Sequence, residues 1–231
     1  MAKLRERGVA ILESPEGELA SGLMGKGRMM EREQIVAELV NHFSAKQTLK
    51  GKRVMVTAGA TIEAIDPVRY ISNHSTGKMG YAIAEELAAL GAEVTLISGR
   101  TALPTPKGVE RVDVLSAEEM YEAAKARWEG CDGGVMCAAV ADYTPAEVSP
   151  VKVKKGEGDM AIRLRRTPDI AASLGAVKGE RLLIGFALET DHEEENAQGK
   201  LVRKNFDLVV LNSLRDKGAG FGGDTNKVTF V

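Results

Sequence analysis

From residue 50 onward, short apolar runs alternate with longer amphipathic ones. Runs of five or so β-branched and aliphatic residues predict strands at Arg53–Thr57, Glu93–Ile97, Val109–Val114, Gly134–Ala138, Leu182–Phe186 and Asp207–Leu211. Apolar positions spaced three and four apart predict helices at Lys78–Leu90, Ala117–Trp128, Asp169–Leu174 and His192–Lys204. Strands that alternate with helices point to a parallel sheet covered on both sides. The fold class is therefore α/β: a Rossmann-like, doubly wound, mostly parallel sheet with helices on both faces. Short β-rich patches at Met160–Leu164 and Val228–Val231 would add a hairpin or an edge. The last patch stops in mid-strand, so a C-terminal truncation is expected.

The first fifty residues follow a different pattern. Gly8–Leu12 reads as one strand and Glu33–Phe43 as an amphipathic helix, with the glycine-rich basic turn Gly22–Met30 between them. One strand, one loop and one helix cannot bury a core of their own. This segment reads as the end of another domain, followed by the polar joint Lys50-Gly51-Lys52-Arg53. The expected division is 1–50, a remnant and linker, and 51–231, the α/β domain.

Composition narrows the class. At 231 residues with 44% hydrophobic content the chain can bury a sizeable core, and 31 basic against 33 acidic residues leave a net charge of -2. No basic excess or block marks a nucleic-acid surface. No apolar run approaches the roughly 20 residues of a membrane helix, and Met1 is not followed by a signal peptide. The two cysteines, Cys131 and Cys137, have no partners at metal-ligand spacing and read as reduced thiols of a cytoplasmic protein.

Candidate chemistry gathers where strands end. The segments Ala58–Thr61, Ser98–Arg100, Ala138–Tyr143 and Phe186–Thr190 should converge on one rim, beyond the carboxyl ends of the strands. Between the first of them and the next helix lies a polar insert, Asp66 to Gly80, which carries Arg69, Asn73, His74 and Lys78. Inserts of that length inside a compact domain are usually functional or disordered, and this one is read as the catalytic loop. Its tail, Ser75-Thr76-Gly77-Lys78, stands at a helix start that favours an anion. It is not a Walker loop, because the upstream glycine and the residue after the lysine are wrong. Nor does Gly59 alone make a G-x-G-x-x-G turn. Lys152, Lys154 and Lys155 lie beside Gly156 as either a solvated loop or a flap over phosphates. Thr167-Pro168-Asp169 reads as a helix start with Thr167 as its cap, and Lys200 and Lys204 share a helix face.

Together these motifs resemble phosphopantothenoylcysteine synthetase. The resemblance rests on Val56–Thr61, the run Arg69-Tyr70-Ile71-Ser72-Asn73-His74-Ser75, Ala138–Tyr143, the Lys152 loop, Pro168–Ile170, Gly185–Thr190 and Lys200–Asn205. It covers the chain from about residue 52 to the end. Residues 1–50 resemble the end of the flavin-dependent decarboxylase that bacteria often fuse ahead of the synthetase, with Ser21 at the position of that family's active-site cysteine. The resemblance implies an acid–amino-acid ligase of coenzyme A biosynthesis. It would join 4'-phosphopantothenate to L-cysteine through an acyl-cytidylate, with CTP as co-substrate and Mg2+ as metal; no metal-ligand set follows from it. Asn73, Lys152 and Arg69 would be catalytic. Met136, Cys137, Ala138, Asp142, Lys152, Pro168, Asp169, Ile170, Ala171, Phe186, Lys200 and Lys204 would hold the nucleotide. A homodimer and a decarboxylase domain in the full-length protein are the implied partners. Two alternatives stand beside this reading. One is an NADP-dependent reductase, for which Arg100 would meet a 2'-phosphate; the other is a non-catalytic assembly module built on residues 1–50.

Overall fold

The computed structural model describes residues 2–14, 16–18, 23–27, 29–44, 47–189, 191–213, 223 and 225–231. The chain divides into two compact units, Met1–Thr48 and Leu49–Val231. Ser21, with Gly22, Arg28 and Thr190, lies outside the described residues.

The first unit holds helix α1 (Ala2–Glu6), strands β1 (Glu16–Glu18) and β2 (Met24–Lys26), and helix α2 (Arg32–Ser44). β1 and β2 pair antiparallel. The strand expected at Gly8–Leu12 is not formed. The α1 turn continues there, with the Gly8 N–H on the Arg5 carbonyl and the Val9 N–H on the Leu4 carbonyl. The helix expected at Glu33–Phe43 is α2, which leaves Val36, Leu39 and Val40 exposed.

The second unit contains β3 (Arg53–Ala58), β4 (Ile62–Ala64), β5 (Tyr70–Ser72), α3 (Lys78–Ala89), β6 (Glu93–Ser98), β7 (Val109–Asp113), α4 (Ala117–Trp128) and β8 (Gly133–Met136). It continues with β9 (Tyr143–Pro145), β10 (Leu164–Arg166), α5 (Ile170–Ala176), β11 (Leu182–Glu189), α6 (Glu193–Arg203), β12 (Leu208–Ser213) and β13 (Val228–Phe230). Seven strands form one sheet in the order β13-β12-β11-β8-β3-β6-β7, parallel except for β13, which runs antiparallel along the β12 edge. This is the α/β, Rossmann-like architecture.

Consecutive strand residues are buried on opposite sides, as a doubly covered parallel sheet requires. Met55, Ile97, Trp128, Leu174, Leu183 and Val209 belong to one cluster, with α4, α5 and α6; Val56, Leu96, Val135 and Tyr81 belong to the other, with α3. The chain leaves β3 toward β6 and β7, then returns to the other side of β3 as β8. The carboxyl ends of β3 and β8 therefore flank the reversal of strand order, where such sheets open a crevice.

Two antiparallel hairpins, β4–β5 and β9–β10, stand outside the sheet. The insert expected as irregular loop is thus partly a hairpin. Glu63 of β4 is buried and accepts the Ala117 N–H at 2.9 Å, tying the hairpin to the start of α4. The patch expected at Met160–Leu164 forms its strand slightly later, at Leu164–Arg166. Among the described residues no helix is long and apolar enough to cross a membrane.

Candidate functional site

The main cleft, about 450 Å3, opens over the carboxyl ends of β3 and β8. Thr57 ends its floor on one side. Met136, Ala138 and Val140 carry it into the turn that follows β8, and Phe186 of β11 lies beside them. The 167–171 segment and the last turn of α6 form its walls.

The turn after β8 is held by hydroxyl groups. The Thr57 Oγ1 accepts the Ala138 N–H at 3.2 Å, and the buried Thr61 Oγ1 accepts the Ala141 N–H at 3.0 Å. The Thr167 hydroxyl donates to the Ala141 carbonyl at 2.6 Å, and its N–H to the Asp142 carbonyl at 3.0 Å. Thr167 therefore braces this turn and does not cap α5. The cap is Asp169, whose carboxylate accepts the Ala172 N–H at 3.0 Å. The expected Thr167 cap is one of the points the geometry corrects: a side chain already bonded across to Ala141 is not free to close a helix two residues on.

Charge is concentrated at the α5–α6 end. Lys204 Nζ lies 3.0 Å from Asp169 Oδ1. Burial raises the Asp169 pKa, but the Ala172 N–H and Lys204 outweigh it and leave the carboxyl below its usual range. Lys200 Nζ donates to the Phe186 carbonyl at 2.5 Å. Burial, then the like charge of Lys204, pushes the Lys200 pKa down, while Glu189, Asp169 and Asp142 oppose the shift. With Arg166 the lining carries three cations against the carboxylates of Asp142 and Asp169. A half-buried ammonium that retains donors beyond one carbonyl, in a cleft with a positive surplus, suits a phosphate or other anion.

A second cavity, about 500 Å3, is lined by Ala60, Ile62, Tyr70, Ser72, Asn73, Ser75 and the 100–102 segment. Asn73 joins the two. Its Nδ2 donates to the Val140 carbonyl at 3.0 Å and reaches the Ala139 carbonyl at 3.5 Å, so it grips the turn that lines the main cleft.

The sequence candidates thus fall into two groups. Met136, Ala138, Asp142, Pro168, Asp169, Ile170, Ala171, Phe186, Lys200 and Lys204 line one cleft. Asn73, Arg69, Lys152 and Cys137 do not. Cys137 turns to the opposite side of the sheet from Met136 and Ala138, and burial pushes its thiol up to about 12. Arg69 is engaged with Asp66 and with the Val153 carbonyl, at 2.7 Å for the latter. Lys152 is exposed. The expected anion site at the start of α3 is already partly filled: the Ser75 and Thr76 hydroxyls accept the Gly77 and Lys78 N–H groups at 3.3 and 3.4 Å. Thr57, Val140, Tyr143, Arg166, Thr167 and Phe206 line the cleft without having been singled out as ligand residues. Thr57 could have been found as the last polar residue before the first glycine turn; Phe206, which sits beyond α6, gave no such signal.

The family model for the DNA/pantothenate metabolism flavoprotein C-terminal domain matches residues 49–231. A cysteine/cysteine sulfinic acid decarboxylase from an unknown prokaryotic organism is 53% identical over 99% of this chain and 65% of its own length. The coenzyme A biosynthesis bifunctional protein CoaBC of Bacillus subtilis (strain 168) is 49% identical over 98% of this chain and 56% of its own. The crystal structure of the C-terminal domain of a CoaBC superposes with a TM-score of 0.67 at 47% identity, covering 79% of this chain and 82% of that one. The chain spans less than two thirds of the length of these two curated relatives.

These findings correct the expectations drawn from the resemblance to phosphopantothenoylcysteine synthetase. The family description names a flavoprotein, and the 53%-identical relative is named a decarboxylase; none of these descriptions names a ligase, CTP or Mg2+. The synthetase-half assignment, the CTP-dependent ligation of 4'-phosphopantothenate with L-cysteine through an acyl-cytidylate, the ligase class and the CTP and Mg2+ requirement are withdrawn. Lys152 lies outside the main cleft. Coenzyme A biosynthesis is the part of the expectation that the relatives' names keep. With the family model matched across the whole α/β unit, the chain belongs to the DNA/pantothenate metabolism flavoprotein C-terminal domain family.

Proposed function

We propose that this chain supplies the phosphometabolite-binding part of a bifunctional protein of coenzyme A biosynthesis. Its main cleft takes a phosphorylated ligand whose phosphate meets Lys200 and Lys204. The observation that carries this reading is the pair itself: two lysines four residues apart, one driven partly into the protein against a carbonyl, at the carboxyl ends of the strands. Burying an ammonium costs free energy, and a phosphate that neutralises it offsets that cost.

The three aromatic side chains that line the cleft are Phe206, 6% exposed within the core, Phe186, which packs into the other cluster, and Tyr143, 47% exposed. Beside Met136, Val140 and Ile170 the lining carries Asp142, Asp169, Arg166 and the two lysines, a charged set that fits an anionic group better than a flavin ring. In this reading the flavin of the family's name, and the decarboxylation named for the 53%-identical relative, belong to the complete bifunctional protein, with a cytoplasmic location and a homodimer as its setting.

Thermal shift and calorimetry test the reading with 4'-phosphopantothenate, pantothenate, FMN and nucleoside phosphates. A ligand that binds only the folded state at 100 times its Kd adds about 2.7 kcal/mol of stability. The phosphorylated compounds that bind should lose affinity in Lys200→Met, and pantothenate should not bind. Comparison among the arms identifies the body that carries the phosphate. Equal binding of pantothenate and 4'-phosphopantothenate, or binding unchanged in Lys200→Met, would overturn the proposal.

A further inference from the structure

Lys178, Lys200 and Lys204 all hold their ammonium groups against the protein, but their partners differ in kind. Lys178 Nζ lies 2.5 Å from Asp207 Oδ1, and Lys204 Nζ lies 3.0 Å from Asp169 Oδ1. Lys200 Nζ instead donates to the backbone carbonyl of Phe186 at 2.5 Å. A carboxylate holds a lysine in its charged form, whereas a carbonyl accepts an N–H from ammonium and free amine alike. Lys204 on the same helix, Glu189 at the end of β11, Asp169 before α5 and Asp142 in the turn after β8 all act on Lys200. Burial and Lys204 favour the free amine, the three carboxylates favour the ammonium, and the first two prevail.

A desolvated lysine beside a second cation is a prepared amine nucleophile. Lys200 meets both conditions and lines a cleft of about 450 Å3, large enough to admit a small reagent. When the amine donates one N–H to the Phe186 carbonyl, its lone pair is turned away from that oxygen. The surrounding lining has two characters. Arg166 and Lys204 offer donors to a phosphate, while Ala138, Val140 and Phe206 offer apolar wall to a short acyl chain. Acyl phosphates join those two features across a reactive carbonyl carbon.

We infer that Lys200 is a modification site: small acyl phosphates that enter the main cleft acylate its side-chain nitrogen. Capture of the phosphate end rests on the phosphorylated-ligand reading above. The Nζ lone pair attacks the acyl carbon, and an N–C bond forms. The C–O bond to the phosphate breaks, inorganic phosphate leaves with that electron pair, and the nitrogen gives up one proton to solvent. The product is a neutral amide. It leaves Arg166 and Lys204 as the cations of the lining and puts an acyl group where the ammonium stood, so acylation weakens binding of phosphorylated ligands.

The test uses the full chain with acetyl phosphate as probe, and mass spectrometry reads acetylation lysine by lysine. Lys125, exposed on α4, is the internal reference. Acetylation at Lys200 should outpace that at Lys125 by about 10-fold or more, from a larger amine fraction and from capture of the reagent. Because the amine is the reactive form, the Lys200 rate should rise with pH and level off below 10.5, the ordinary lysine value. Excess inorganic pyrophosphate should slow Lys200 and spare Lys125. Lys204→Met, shown folded by its thermal midpoint, should slow acetylation by acetyl phosphate more than acetylation by N-acetoxysuccinimide, which carries no phosphate. Acetylated protein should lose pyrophosphate affinity to the same extent as Lys200→Gln, its uncharged mimic. Acetylation of Lys200 no faster than of Lys125 overturns the modification site; calorimetric binding of pyrophosphate that is weakened in Lys200→Gln would then leave the phosphorylated-ligand reading standing. Labelling that pyrophosphate does not slow, or that Lys204→Met slows equally for both reagents, overturns acyl phosphates as the reagent. Neither pyrophosphate binding nor preferential acetylation overturns both readings together.

Discussion

Alanine at position 175 should strike the contact that sets Lys204 against Asp169. Gly175 lies near the end of α5, where its backbone meets the end of α6: a Cβ there would stand 2.0 Å from the Lys204 carbonyl oxygen and 3.0 Å from its carbonyl carbon. Neither is the far end of a flexible side chain. Asn205, the next residue, holds φ at 52° and donates its Nδ2 to the Gly175 carbonyl at 2.9 Å, which locks the two backbones together. To bring the oxygen out to even 3.0 Å, the end of α6 must retreat from α5 by about 1 Å, a displacement comparable to overpacking a close-packed core. Such insertions cost about 1–3 kcal/mol. For a unit of this size that lowers the thermal midpoint by roughly 2–4 °C per kcal/mol. The retreat also opens the 3.0 Å Lys204–Asp169 pair at the mouth of the cleft. Calorimetric unfolding and phosphorylated-ligand titration should therefore fall together in Gly175→Ala. Gly156→Ala, where nothing lies within 4 Å, is the control and should change stability by less than about 0.5 kcal/mol. An unchanged midpoint with unchanged affinity in Gly175→Ala would refute the reasoning that this close approach places Lys204.

Lys200→Met should separate stability from binding. Burial disfavours the ammonium, so removing it should leave the thermal midpoint level or raised, while losing a charge-assisted bond to phosphate weakens binding by about 10- to 150-fold, from roughly 1.5–3 kcal/mol. Because the Lys200 pKa lies below the free value of 10.5, wild-type affinity should decline with rising pH earlier than an ordinary lysine would dictate, and titrations from neutral to alkaline pH check this. Asp207→Asn removes a carboxylate that pairs with Lys178 at 2.5 Å and accepts the Leu183 N–H at 2.7 Å. Burial raises the Asp207 pKa, but these partners outweigh it and leave it below 3.8, so its contribution is present above that value and is lost as pH falls through the lowered pKa. Urea unfolding at pH 7 should show a loss of about 1–3 kcal/mol, and the gap from wild type should narrow in strong acid. Finally, the thiols of Cys131 and Cys137 are both pushed up by burial, the latter to about 12, so a thiolate-directed reagent at pH 8 should modify them slowly in the native protein and quickly in urea.

The sheet was legible because its strands are buried on both sides. Runs such as Val54-Met55-Val56-Thr57 leave no polar alternation to read, yet their length and the helices between them define a parallel α/β sheet. Errors came where a segment had no core to obey. Gly8–Leu12 has the composition of a strand, but among the described residues no strand pairs with it, and α1 takes the Gly8 and Val9 N–H groups. The β4–β5 hairpin was hidden by Asp66 and Pro67, which read as loop because the turn they form is closed by a buried carboxylate reaching Val153, and no local pattern reveals that reach.

The site divides along the same line. Lining residues that sit at strand ends or on one helix face could be read from the sequence, because strand ends converge wherever a parallel sheet is formed: Met136, Ala138, Phe186, Lys200 and Lys204 meet in one cleft by topology alone. Thr167 shows what topology does not supply. Its sequence context, Thr-Pro-Asp, offers two residues that could cap α5, and local preference does not choose between them. The choice is made by Ala141, whose carbonyl takes the Thr167 hydroxyl at 2.6 Å and so leaves the cap to Asp169. That exchange decides the electrostatics of the cleft. It keeps the Asp169 carboxylate at the α5 start, where Lys204 pairs with it, and leaves Lys200 as the ammonium held by a neutral carbonyl.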